Sequence, residues 1–204
     1  MEENYSNHSY TPKEIYSIKK SNYFWKCIDY LACKIEKFAD LYEKYISKEY
    51  EKESKMFDIS GSKNIIHIGC GAYPITAITL AKMNCKKIVA IDRNPRAAKL
   101  ANQVINKKNL HDLITIENGD GRSYPLEKFD TIIVSGCSIP KIEILKHVFK
   151  TVKPSSKIIV RELYEASRAV VNYINSHENI ELVKRIGNRS FSNYKWESFY
   201  LLKK

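Results

Sequence analysis

From residue 64 onward, short apolar runs alternate with helix-length stretches, and no other feature of this 204-residue chain constrains its fold as strongly. The runs are Asn64–Ile68, Lys87–Ile91, Leu113–Glu117, Thr131–Ser135 and Lys157–Val160. The helical stretches are Ile75–Met83, Pro95–Lys107, Lys141–Val152 and Glu165–Ser176. Such alternation builds right-handed crossovers and predicts a doubly wound, mainly parallel sheet with helices on both faces. The tail breaks the rhythm: Ile180–Ile186 and Ser198–Leu202 read as strands with no helix between them, hence an antiparallel hairpin at the sheet edge.

Residues 1–60 read as helical. Ile28, Leu31, Ile35, Phe38, Tyr42 and Tyr45 recur at spacings of three and four, which marks one apolar helix face. Thr11-Pro12-Lys13-Glu14 is a helix start, with Thr11 as N-cap, Pro12 in the first turn and Glu14 closing a capping box. Ser60-Gly61-Ser62 then separates this helical region from an α/β domain over 61–204. Tyr23, Phe24 and Trp25 suit a lid over an acceptor, a homodimer surface or an ordinary packed layer.

Four strand ends carry the candidate chemistry. Ile65-Ile66-His67-Ile68 runs into Gly69-Cys70-Gly71, where missing side chains let the backbone turn sharply and approach a ligand. Asp92 closes the second strand, 23 residues after Gly69, a place from which a carboxylate accepts hydrogen bonds from both hydroxyls of an adenosine ribose. Arg93 follows it. After the third strand comes Asn118-Gly119-Asp120-Gly121, with Asp120 placed for an adenine amino group and Gly121 keeping the wall low. The fourth strand ends in Ser135-Gly136, small residues where ligands sit in such sheets. A nicotinamide dinucleotide fits less well, because Pro74 stands where its fingerprint needs a third glycine and supplies no N–H for a phosphate.

Together these features resemble the class I S-adenosylmethionine-dependent methyltransferase family over residues 61–204. The resemblance implies a seven-stranded sheet ending in an antiparallel hairpin. It also implies S-adenosylmethionine as cofactor, with Gly69 and Gly71 at its methionine portion, Asp92 at the ribose and Asp120 at the adenine; Tyr73 and Arg93 are further cofactor-binding candidates.

The loop departs from the usual methyltransferase pattern, which carries a further glycine where Tyr73 stands. Gly69-Cys70-Gly71-Ala72-Tyr73-Pro74-Ile75-Thr76 instead resembles nicotianamine synthase and its microbial relatives. So does Ile158-Ile159-Val160-Arg161, followed by Tyr164 and Arg168-Ala169-Val170-Val171-Asn172-Tyr173. That resemblance implies transfer of the cofactor's aminocarboxypropyl arm rather than its methyl group. The sulfonium carries three carbon substituents, and whichever lies in line with the acceptor is transferred. The sequence reading places methyl transfer to a small-molecule acceptor first, aminocarboxypropyl transfer to an amine next, and RNA methylation third.

Acceptor-side candidates are Tyr73, Glu162 and Tyr164 for catalysis and Arg161 for holding a carboxylate of an anionic or amino-acid-like acceptor. Cys137 reads as a wall residue and His67 as a core histidine. Residues 1–60 hold ten Lys and Arg against eleven Asp and Glu, and residues 61–204 hold 24 against 12. That basic surplus, with Phe191, Tyr194 and Trp196 near the end, is what would favour nucleic acid as a partner. Without an Asn-Pro-Pro-Tyr-type loop after the fourth strand, it is the less favoured one. Five cysteines form no Cys-x-x-Cys pair, which predicts reduced thiols and no metal site. No apolar run is long enough to span a bilayer and no secretion signal opens the chain, so the expected location is cytoplasmic.

Overall fold

The computed structural model describes residues 10–85, 87–189 and 194–204. Two long helices, α1 (Pro12–Lys34) and α2 (Glu36–Met56), precede the sheet. The sheet strands are β1 (Ile65–Ile68), β2 (Ile88–Asp92), β3 (Ile114–Asn118), β4 (Thr131–Val134), β5 (Lys157–Leu163), β6 (Ile180–Arg189) and β7 (Lys195–Lys203). Between them lie α3 (Ile75–Lys82), α4 (Pro95–Lys107), α5 (Lys141–Thr151) and α6 (Ser167–Asn175). Among the described residues the strands form one sheet in the order β3-β2-β1-β4-β5-β7-β6. The pairs among β1 to β5 are parallel, and β7 runs antiparallel to both β5 and β6. This is the class I methyltransferase-like doubly wound arrangement. Both hairpin strands extend three residues beyond the apolar runs that signal them, to Arg189 and from Lys195.

β1 is buried on both faces, as a central parallel strand must be. Ile65 packs with α2, α3 and α4 in one core, while Ile66 and Ile68 pack with α5 in the other. Residues Ile28, Ala32, Tyr42 and Ile46 of the first two helices belong to the first core, so these helices are packed continuously with the sheet.

The capping box at the start of α1 forms as the sequence reads. Thr11 Oγ1 accepts from the Glu14 N–H at 3.3 Å, and Glu14 accepts from the Thr11 N–H at 2.6 Å. Arg168 binds the same carboxylate at 2.9 Å and ties the helix start to α6. The apolar face over Ile28–Tyr45 is not continuous. The chain leaves helical geometry at Ile35 (φ −121°, ψ 105°), which leaves Leu31 and Ile35 exposed while Tyr42 is buried.

Candidate active site

Every element that ends at the carboxyl edge of the sheet contributes to two cavities that meet at the glycine loop. Gly69 and Gly71 both adopt positive φ (79° and 70°), a conformation costly for any side chain with a Cβ. The amides of Gly69 and Cys70 donate to the Ile91 carbonyl at 2.8 and 3.0 Å, locking the loop against β2. Asp92 completes that lock: its two carboxylate oxygens accept from the Gly71 N–H at 3.0 Å and the Asn94 N–H at 2.9 Å. Asn94 then caps α4 through the Arg96 amide.

The outer cavity runs along the tips of β1, β2 and β3. Asp92, Arg93, Asp120 and Gly121 line it, with Gly69 and Gly71 at its inner end. Asp120 faces Arg122 at 2.6 Å, and that guanidinium holds its carboxyl down at about 2. The inner cavity lies beyond the loop and under the first two helices. Gly69, Gly71, Tyr73, Ser135, Arg161 and Glu162 line it, roofed by Ile18, Trp25 and Asp29 of α1 and by Tyr42, Ile46 and Tyr50 of α2. The inner and outer cavities hold about 100 and 590 Å³. The outer one is within the range of small-ligand pockets and suits a nucleoside.

The structure thus brings ten of the eleven expected site residues to these two cavities and leaves one outside. After β5 the chain enters a short 3-10 turn (Tyr164–Ala166) that turns the Tyr164 ring outward, where it is 56% exposed and lines neither cavity. Arg161, expected to hold an acceptor carboxylate, holds that of Glu53 instead. Its Nε and Nη2 donate to Glu53 at 2.6–3.2 Å, and its Nη1 donates to Thr76 at 2.7 Å. Its guanidinium also lies 3.9 Å over the Tyr50 ring. Tyr73 presents its ring to the inner cavity while its hydroxyl donates to Glu43. Burial and that carboxylate push its pKa up, so the phenol is a wall with a fixed hydroxyl rather than a ready base. Glu162 accepts from the Tyr10 hydroxyl at 2.7 Å and the Leu163 amide at 2.8 Å, and burial raises its pKa.

Several residues that shape the site carry no local sequence signal. Lys141 is buried and donates to the carbonyls of Ser135 and Arg161, the latter at 2.9 Å, tying together the ends of β4 and β5. Asp29 reaches from α1 to the glycine loop, where burial pushes its carboxyl up to about 7. His67 is 2% exposed in the wall of the inner cavity, and neither ring nitrogen has a hydrogen-bond partner among the described residues. Burial holds its pKa near about 3, so the ring is neutral. Cys137 is exposed at the rim of both cavities, where desolvation by the surrounding walls and nearby carboxylates push its thiol up to about 12, which suits a wall residue and not a thiolate.

Tyr194 and Trp196, two of the aromatic residues in the basic tail, also line the inner cavity, packed beside Phe24 and Tyr50. Phe191 lies outside the described residues. Among the described residues, no cluster of three His, Cys, Asp or Glu side chains could hold a metal, and no helix is long and apolar enough to cross a membrane.

Comparison with known proteins agrees with this fold. The family described as "Nicotianamine synthase protein" matches residues 32–190. A probable cobalt-precorrin-6B C(15)-methyltransferase (decarboxylating) of Methanobrevibacter smithii is 24% identical over 137 residues, 66% of this chain and 71% of that protein. A mutant of MtNAS in complex with S-adenosylmethionine superposes with a TM-score of 0.71 at 17% identity, over 93% of this chain and 76% of that one. MtNAS in complex with MTA and tNA gives 0.69, also at 17% identity, over 87% and 69%.

Proposed function

The chain belongs to the nicotianamine synthase protein family, and from that premise we propose that it transfers the aminocarboxypropyl arm of S-adenosylmethionine to an amine of a small molecule. It is an S-adenosylmethionine-dependent transferase on a methyltransferase-like fold. The observation that carries the choice of group is the inner cavity. Helices α1 and α2 close over the glycine loop and leave a chamber beyond it, continuous with the outer, nucleoside-sized cavity.

The residues fit that cofactor. Asp92 stands at the tip of β2 with lone pairs left over after its two backbone contacts, enough to accept from ribose hydroxyls. Asp120, kept ionised by Arg122, accepts from an adenine amino group, while Arg93 and Gly121 complete that wall. Gly69 and Gly71 let the amino-acid arm cross from the outer cavity to the inner one.

S-adenosylmethionine supplies an electrophilic carbon and a sulfur that leaves as a neutral thioether. The protein's part is placement and the exclusion of water. Lys141 fixes the ends of β4 and β5, and so sets the floor made by Ser135 and Gly136. Tyr73, held by Glu43, sets the side wall. His67 offers the acceptor one ring N–H and one bare nitrogen, and its low pKa keeps that lone pair available beside Arg161. Glu162 is the proton acceptor on the far side, a buried carboxyl with a raised pKa.

Incubation with S-adenosylmethionine and a pool of small amines, followed by mass spectrometry of the sulfur product, tests this reading. 5′-Methylthioadenosine is expected; S-adenosylhomocysteine would support methyl transfer instead, the activity named for the curated relative.

A further inference from the structure

Where the two cavities meet stands one carboxylate with no ion-pair partner among the described residues. Asp29 lines both, reaching down from α1 onto the glycine loop. A Cβ built on Gly71 would stand 2.2 Å from Asp29 Oδ2, so the loop glycine is what admits this carboxylate. Three other acidic side chains line the cavities, each of them only one cavity and each with donors of its own. Asp92 accepts from two backbone amides. Asp120 is bound by Arg122 through both oxygens. Glu162 accepts from Tyr10 and Leu163. Asp29 accepts from the Tyr42 hydroxyl at 3.3 Å and from the backbone amides of Tyr73 and Ala72. Among the described residues it forms no salt bridge.

A carboxylate that is partly buried, without a cation beside it and placed at the mouth of a chamber is stabilised by a cation arriving with the ligand. The reading above brings one past this point, because the arm that crosses the loop carries an α-ammonium group. We propose that Asp29 anchors the α-ammonium of the cofactor's amino-acid arm and so fixes which carbon faces the inner chamber. This rests on S-adenosylmethionine being the cofactor. Asp29 is a binding residue contributed by the N-terminal helices, so α1 takes part in the cofactor site as well as covering the acceptor.

Calorimetry on wild type and Asp29→Asn with three ligands tests the assignment at about pH 8, where the carboxyl is ionised. S-adenosylmethionine and S-adenosylhomocysteine both carry the ammonium; 5′-methylthioadenosine lacks the whole arm. Asp29→Asn is expected to weaken the first two by at least about tenfold and to leave 5′-methylthioadenosine within about twofold. Equal affinity of both proteins for all three ligands overturns the proposal. So does a loss confined to S-adenosylmethionine, which would put the carboxylate at the sulfonium, or an equal loss of 5′-methylthioadenosine, which would mean a distorted site. Wild type binding none of the three would instead sink the cofactor reading itself. Asp92→Ala serves as the contrast, because losing the ribose contact weakens all three together.

Discussion

His67 places two polar ring atoms where none of the described residues pairs them. A buried polar group without a partner costs about 1–3 kcal/mol, so a site that keeps one gains when a ligand satisfies it. Replacing it with a ring of similar size, His67→Phe, is expected to stabilise the free protein by about that amount in urea unfolding while lowering turnover. The pH dependence has a fixed sign. The folded-state pKa of about 3 lies below the ordinary 6.5, so the unfolded chain binds the proton first. Stability from this group is therefore complete above about 6.5 and is lost toward about 3, by at most about 1.4 kcal/mol per pH unit. Wild type should show that slope and His67→Phe should lack it; parallel curves would mean the ring is paired or protonated. In the sequence, His67 reads as a core histidine because it sits inside an apolar strand. Its burial was legible, but its missing partners depend on what α2 and α3 place opposite it.

The elements are held at the site by one buried ion pair. Glu53, in the last turns of α2, meets Arg161 of β5, and the pair is joined by Thr76 of α3, Ser198 of β7 and the ring of Tyr50. Both side chains are at most 3% exposed. Removing one partner leaves the other charge buried, so Glu53→Ala is expected to cost about 3–5 kcal/mol. Glu53→Leu combined with Arg161→Met should recover most of it. A single-variant loss below about 1 kcal/mol in denaturant unfolding would show that water reaches the pair. This contact also marks a limit of sequence reading. Capping at Thr11 and Glu14, Asp92 at the tip of β2 and the terminal hairpin rest on neighbours in sequence or on strand rhythm, and all could be read. Arg161 reads as a ligand for an acceptor carboxylate because it follows a strand. The carboxylate it meets belongs to Glu53, 108 positions away on a helix whose angle to the sheet no local pattern encodes. The break at Ile35 escaped for a similar reason, since the three-and-four spacing runs straight through it.

At the scale of the whole molecule, the proposed reading has the fold set the cofactor class and the N-terminal helices set what can react. Gly69, Asp92 and Asp120 stand at strand ends, where a doubly wound sheet presents its ligand. The two helices close the space beyond the glycine loop, and Tyr194 and Trp196 turn inward to line it rather than outward to stack on bases. On the proposed reading, the basic surplus of residues 61–204 serves to attract an anionic or amino-acid-like acceptor. The central claim is that the three-carbon arm moves and the methyl group stays. The most direct measurement supplies S-adenosylmethionine carrying a heavy-carbon label in the arm and deuterium in the methyl, together with the amine pool, and follows both labels. The account predicts that the heavy carbon enters the amine product while all the deuterium remains on 5′-methylthioadenosine; deuterium in the amine product, with the labelled arm left on sulfur, would contradict it.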